Sequence, residues 1–552
     1  MAAGRRINAY TTSCRVDAYT LRACNTSLRA ALKKKNKGGI EAVMAELKQL
    51  LDRNVWEYLN SAELSITQMK KVIRSLVFIR EKVDAAGQFV KMKARLVAGG
   101  NDQDKSVYDN ISSPTVSMEA VMCIIAIAAI QRRKIATVDI TGAYLEVVMP
   151  EGDEVLMELD PVLTKLVKEL DPTAEQFVND KGKLVVRLKR ALYGCVQSAR
   201  LWYEKLRETL INFGFVANPY DPCTFNKTIS GHQVTVAFHV DDLLITSVSD
   251  DAITAVIQYL KENFKGVSEV RGDTHSYLGM RIISHEDHIT VDMSGYTEKI
   301  TKDREDLKRT TTPAGPSLMD FPDDSSLLPE KEQKAFHADV AKALFLAKRT
   351  FYQIMPAISV LAGRVGKATV EDKAKLDKVY SYIGSNKGAV LRFRKGGKFD
   401  FAVYIDASWA VHEDRLGRTG IVVMLAGCCI GAWTFKQKMI TLNSTESEIV
   451  ALSDGVKQAM WYRRWLRAQG IDTGPIPIFQ DNEAVVQLMK NERRAHQRTR
   501  HLDVRLFYPR DLIQSGDIQM IWCESEEMLA DLMTKPLQGA LFQKLTSKLT
   551  GV

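Results

Sequence analysis

Apolar positions recur along the chain at two periods. In "EAVMAELKQLL", Glu41 to Leu51, they fall at helical spacing and predict an amphipathic helix. In "IATVDITGAYL", Ile135 to Leu145, Val138 and Ile140 alternate with Thr137, Asp139 and Thr141. Period two predicts a strand with Asp139 on the face opposite the apolar pair. "TVAFHVDDLLI", Thr235 to Ile245, alternates in the same way. Val236, Phe238 and Val240 share one face there, and Ala237, His239 and Asp241 share the other. Asp241 and Asp242 fall where the chain should turn, since aspartate tolerates turn conformations, and Leu243 to Ile245 form the return strand.

Further along, Pro313 to Pro329 is rich in Pro, Asp and Ser and predicts a connector. Helical patterns follow over Phe336 to Gly366 and Val370 to Gly384. "RFRKGGK", Arg392 to Lys398, is a basic turn and a plausible boundary. From Phe399 the pattern becomes strands, then alternating helices and strands. "FDFAVYIDASW" predicts a strand that delivers Asp406. "NSTESEIVALSDGVKQAMWYRRWL" predicts a helix with Ile449, Leu452, Val456 and Met460 inward, and Trp461, Tyr462 and Trp465 as core. Thr445 and Glu448 have capping-box spacing at its start. "PIFQDNEAVVQLM" predicts a strand followed by Asp481 at a helix start, and "EEMLADLMTK" puts Asp531 on a late helix.

Composition narrows the class. Seventy-six Lys+Arg against 67 Asp+Glu give a formal net charge of +9, which suits a polyanionic partner. Eight cysteines without a CxxC spacing argue against a zinc site or a disulfide framework and for a reducing setting. The longest strongly apolar run, Val121 to Ile130, is short of the roughly 20 residues that span a bilayer. No apolar stretch follows Arg5 and Arg6, so no signal peptide is evident. Lys33 to Gly39 is a basic run of the kind that forms a solvated linker.

Clustered carboxylates repel unless cations neutralise them. Magnesium prefers oxygen ligands and bridges carboxylates to phosphates, and paired ions can clamp a phosphoryl transfer. The chain supplies two such sets. Asp139 on one strand and Asp241 with Asp242 on a hairpin form the first. Asp406, Glu448, Asp481 and Asp531 form the second.

The motifs resemble the reverse transcriptase of copia-type retrotransposons. "KARLVAGG" (Lys93 to Gly100) is similar to the family's fingers segment, and "SSPTVSMEAV" follows it. "VDITGAYLE" resembles the first catalytic strand, and "LKRALYGCVQSARLWYEKL" (Leu188 to Leu206) the segment lining the nucleotide and template site. "HVDD" resembles the Tyr-x-Asp-Asp hairpin, and "SYLGMRI" (Ser276 to Ile282) the primer-grip hairpin. "STESE", "QDNEAV", "RTRHLDVR" and "LADLMTKPL" resemble the attached ribonuclease H. The match runs from about residue 41 to the end.

The resemblance implies an α+β and α/β multidomain chain. A basic irregular segment (1–40) would precede right-hand polymerase fingers and palm (41–285), then a mostly helical thumb or connection (286–395). A ribonuclease H domain (396–552), a mixed five-stranded sheet with helices, would close it. It implies an RNA-directed DNA polymerase with a linked nuclease for the RNA of RNA–DNA hybrids. Each site would hold two magnesium ions, or manganese in their place. Metal ligands would be Asp139, Asp241 and Asp242, then Asp406, Glu448, Asp481 and Asp531. Glu448 is preferred to Glu446 because it precedes the apolar helix positions, as in the family.

Tyr144 would gate against a ribonucleotide 2′-OH. Gly194 would permit close backbone approach, and Lys93 and Arg95 would contact the triphosphate. His239 and Val240 would lie beside the primer end. His239 replaces the usual Tyr, Ala199 the usual Pro, and Cys195-Val196 a typical Leu-Lys pair. These changes bear on efficiency more than on reaction type. No histidine stands between Trp522 and Asp531, where some ribonucleases H use one for product release.

Expected partners are an RNA template, a DNA or tRNA-type primer, RNA–DNA hybrid and deoxynucleoside triphosphates. A membrane is not among them, and a homodimer is an open option. The basic stretch Asn491 to Asp503 would contact hybrid phosphates. The expected location is cytoplasmic, within virus-like particles, with nuclear access open. Protease and integrase motifs are not evident, which suggests a part cut from a longer polyprotein. A non-catalytic nucleic-acid-binding relic or assembly subunit is the rival reading. The presence of every expected acid at both sites argues against it.

Overall fold

A computed structural model describes residues 26–27, 37–83, 89–108, 111–304, 307–322, 324–490 and 503–552. The basic stretch 491–502, and nearly all of the N-terminal segment 1–40, lie outside these residues. Contacts divide the chain into two compact units. One comprises Met1–Pro114, Asp139–Phe213 and Leu260–Ser268; the other Thr115–Val138, Gly214–Tyr259 and Glu269–Val552. The second unit thus takes Thr115–Val138, Gly214–Tyr259 and the residues from Glu269 onward out of the stretch read as fingers and palm.

In the first unit, helix Lys37–Asp52 buries Val43, Leu47 and Leu50, as the helical spacing predicts. It packs on a long antiparallel hairpin, Ile73–Val83 and Phe89–Ala98. In that hairpin Phe78 pairs with Arg95 and Arg80 with Lys93, so both basic side chains share one face. Strands Thr26–Ser27, Leu156–Leu159, Leu184–Leu188 and Trp56–Leu59 complete the sheet. Helix Pro161–Leu170 starts where Asp160 accepts from two backbone N–H groups and Pro161 presets the first turn.

In the second unit, one sheet runs in the order Val267–Val270, Lys134–Ile140, Asp242–Ser247, His232–His239, Asp221–Ile229, Val216–Asn218. A second, antiparallel sheet joins Thr274–Tyr277, Met280–Ser284, His288–Asp292 and Val390–Arg394. Helices Glu330–Ala347, Met355–Ala362 and Val370–Ser385 lie in the stretch between its last two strands. The third sheet is mixed and five-stranded, in the order Cys428–Lys436, Arg418–Leu425, Ala402–Ser408, Ile476–Gln480, Ile518–Trp522. Its first three strands pair antiparallel and its last two pair parallel.

The apolar run Val121 to Ile130 is the body of helix Met118–Ile130, buried at every position from Ala120 onward. A helix that is apolar all round needs cover on every side. Strands Asp242–Ser247, His288–Asp292, Val390–Arg394 and Cys428–Lys436 provide it. Among the described residues no helix is long and apolar enough to cross a membrane.

Candidate functional site

The first acidic set sits on strands of contrasting burial. Asp139 is half-buried near the end of Lys134–Ile140 and accepts a hydrogen bond from the Thr141 hydroxyl at 2.8 Å. The predicted polar face of that strand is not open to water. Thr137 is buried, with its hydroxyl 3.3 Å from Nδ1 of the buried His275, whose Nε2 lies 2.8 Å from the Gly272 carbonyl. A cover supplied from 138 residues away is invisible to local periodicity.

The hairpin departs from the expected turn by one residue. His239 pairs with Asp242, so the two-residue turn is Val240-Asp241 and Asp242 opens the return strand. Val240 takes φ +60°. A β-branched residue there is strained by about 1–3 kcal/mol, a conformation that two-residue hairpins ordinarily give to glycine. Asp241 is half-buried and Asp242 exposed at the tip.

Within the first unit, Arg95 and Tyr144 both pack on Tyr193. The Arg95 guanidinium lies 4.7 Å from the Tyr193 ring centre, and Tyr144 meets Tyr193 edge-on at 4.7 Å. Glu46 sits 3.6 Å from Arg95. Burial raises the Glu46 carboxyl, while Arg95, the Leu96 N–H and Lys93 pull it down. Gly194 has φ +92°, and a Cβ on it would stand 2.2 Å from the Ala98 carbonyl oxygen. Only glycine fits that approach.

The second acidic set is the tighter one. Carboxylate oxygens of Asp406, Glu448 and Asp481 lie within 4.8 Å of one another. Among the described residues no other group of three metal-ligating side chains does so. Asp406 sits in the middle strand of the mixed sheet, opposite Gly420. Glu448 comes from helix Ser444–Ala468, which approaches that strand at Gly455, where a Cβ would stand 2.5 Å from Ile405. Asp481 follows strand Ile476–Gln480, with its carboxylate accepting from the Ser525 hydroxyl at 3.1 Å.

Burial pushes the Asp406 carboxyl up to about 8, against the pull of Lys535. Burial, reinforced by Asp406 and Asp481, pushes Glu448 well above the carboxylate range. The Gln480 amide donates to Glu448 at 3.2 Å. Three convergent carboxylates, two of them buried, form a hard oxygen donor set that suits a divalent cation.

One expectation changes here. Thr445 and Glu448 do not form the capping box. Asn443 is the N-cap and accepts from the Glu446 N–H at 3.0 Å, while Glu446 accepts from the Leu442 N–H at 2.8 Å. The helix starts earlier than the Thr445 reading implied because Asn caps as well as Thr. Glu448 is thereby free of a capping duty. Asp531, the fourth expected ligand, is buried on the short helix Asp531–Thr534 but bonded to Lys535 at 2.6 Å.

Sequence reasoning passed over Lys535, Thr534 and Gln480, although an Asp and a Lys four residues apart are a recognisable pair. The Thr534 hydroxyl donates to Asp406. It also passed over two half-exposed tryptophans. The Trp409 indole N–H donates to the Thr441 carbonyl, and that of Trp522 to the Asp481 carbonyl.

Comparisons with known proteins bear on these sites. Residues 64–316 match the family described as reverse transcriptase (RNA-dependent DNA polymerase). Two curated relatives are Pol polyproteins from Arabidopsis thaliana transposons. The chain is 25% identical to that of transposon RE1 over 92% of this chain and 33% of that protein. It is 25% identical to that of RE2 over 96% and 35%. The Pol polyprotein of transposon TNT 1-94 from Nicotiana tabacum is also 25% identical, over 95% of this chain and 39% of that protein. The chain therefore spans between a third and two fifths of the length of these relatives. A solved structure of prototype foamy virus protease–reverse transcriptase superposes with TM-score 0.28 at 12% identity, over 91% of this chain and 55% of that one. That score carries no structural argument. Residues 64–316 thus match the reverse transcriptase family, and nearly the whole chain is distantly homologous to the Pol polyproteins of copia-type retrotransposons.

Proposed function

We propose that the chain is an RNA-directed DNA polymerase with a linked ribonuclease H that degrades the RNA of RNA–DNA hybrids. The observation that carries the polymerase half is a pair of adjacent aspartates, Asp241 on a strained two-residue turn and Asp242 opening the return strand, inside the reverse transcriptase span. The nuclease half rests on the Asp406, Glu448 and Asp481 cluster. In this reading residues 41–285 supply fingers and palm, 286–395 the thumb or connection, and 396–552 the nuclease.

Asp139, Asp241 and Asp242 hold the polymerase ions; Asp406, Glu448, Asp481 and Asp531 hold those of the nuclease. Magnesium bound at these carboxylates would make a hydroxyl or water more acidic and neutralise charge on the phosphate. The chain's own groups position the reactants. Lys93 and Arg95 share the strand face that would meet a triphosphate. Tyr144, braced by Tyr193, closes the sugar side against a 2′-OH. Gly194 keeps the adjoining backbone close and bare.

The test is an RNA template with a DNA primer, deoxynucleotides and magnesium. Wild type should extend the primer and cut the RNA. Asp241→Asn should abolish extension alone, and Asp406→Asn should abolish cleavage alone. Extension by wild type at the level of Asp241→Asn would sink the polymerase reading and favour an assembly role.

A further inference from the structure

The second acidic site already contains a cation of its own. Pro536 ends the helix Asp531–Thr534, because the residue before a proline is driven out of helical conformation. Lys535 is accordingly extended, with φ −120° and ψ 142°. Its ammonium folds back to stand 2.6 Å from Asp531 and 3.8 Å from Asp406. Asp406 is thus shared between the three-acid cluster and this ammonium. Asp531, by contrast, is drawn to the lysine.

A divalent ion at the Asp406–Asp531 edge and this ammonium compete for the same oxygens. Two cations that close repel strongly in a buried setting. A lysine side chain is ordinarily a cation at neutral pH.

Resting on the nuclease reading above, we propose that Lys535 is a resident cation that sets the order of metal binding. The first divalent ion enters at Asp406, Glu448 and Asp481. A second enters only when Lys535 leaves Asp531. Lys535 is a positioning residue in this scheme: it fixes how many ions the site holds at a given concentration.

The test uses the full chain carrying Asp241→Asn and Asp242→Asn, so that the other acidic set does not contribute. Manganese alone is titrated and its binding read by electron paramagnetic resonance. With Lys535 present, the second ion should bind at least about tenfold more weakly than the first. Lys535→Met should tighten the second ion by about tenfold, and Lys535→Arg, which keeps the charge, should preserve the gap. A gap unchanged to within a factor of about two in Lys535→Met, or one closed equally by Lys535→Arg, would overturn the proposal.

If Lys535→Met does not fold, Lys535→Met with Asp531→Asn replaces the ion pair by neutral groups. That variant should bind one ion and no second; two ions bound would overturn the proposal. Hybrid cleavage by the same preparation separates the two ideas. Neither cleavage nor bound manganese in the parent chain overturns both. Cleavage with an unchanged gap overturns the role of Lys535 alone.

Discussion

At the scale of single residues, the two acidic sets pose different electrostatic problems. Asp241 and Asp242 sit at a hairpin tip, where water shares the burden of their charge. Asp406 and Glu448 are buried, and burial pushes Asp406 to about 8 and Glu448 well above the carboxylate range. In the unfolded chain both groups titrate near about 4. Without metal, the folded chain therefore holds protons through the window from about pH 4 to about pH 8 that the unfolded chain has released. Stability is fullest below that window and falls as pH rises through it. We expect a higher melting temperature at about pH 5.5 than at about pH 8 in chelator. Asp406→Asn should flatten the slope. Excess magnesium should reverse it, since the ion binds the deprotonated acids. A metal-free slope as steep in Asp406→Asn as in wild type would remove Asp406 as its source.

At the scale of elements, the local pattern revealed most of what positions the sites. Period two placed Asp139, Asp241 and Asp406 on or beside strands, and helical spacing placed Glu448 on the inner face of its helix. What escaped was set by register, by distant cover and by a choice between neighbouring caps. The turn fell on Val240-Asp241 because cross-strand register, not turn propensity, pairs His239 with Asp242. Thr137 was hidden by His275. The helix start moved because Asn443 and Thr445 are both good caps, and sequence cannot say which one the chain uses. This last point is measurable. Asn443→Ala should cost about 1 kcal/mol in denaturant unfolding, the usual loss for an N-cap. Thr445→Ala should cost a few tenths, within the about ±0.5 kcal/mol typical of a position without a special role. Equal losses would restore the Thr445 cap. Asn443→Ala should also reduce hybrid cleavage more than primer extension, since that helix carries Glu448.

At the scale of the molecule, the C-terminal mixed sheet is not an appendage in its unit. The Asn218 amide donates to the Trp465 carbonyl at 3.1 Å, and the Gln233 amide to the Gln469 carbonyl at 2.9 Å. The Trp461 indole donates to the Tyr220 carbonyl at 3.2 Å. These bonds tie the sheet carrying the aspartate hairpin to the helix carrying Glu448. The apolar helix Met118–Ile130 makes the same link through packing, since it touches both Asp242–Ser247 and Cys428–Lys436. From sequence this run was legible only as too short for a membrane, because its covering strands come from stretches more than a hundred residues away. A cavity there should weaken both halves together. Ile125 is fully buried in that helix, and Ile125→Ala should cost about 2–5 kcal/mol. After graded heating, primer extension and hybrid cleavage by this variant should be lost over the same temperature range, both earlier than in wild type. Loss of one activity well before the other would mean that the two halves melt independently and that the shared helix does not couple them.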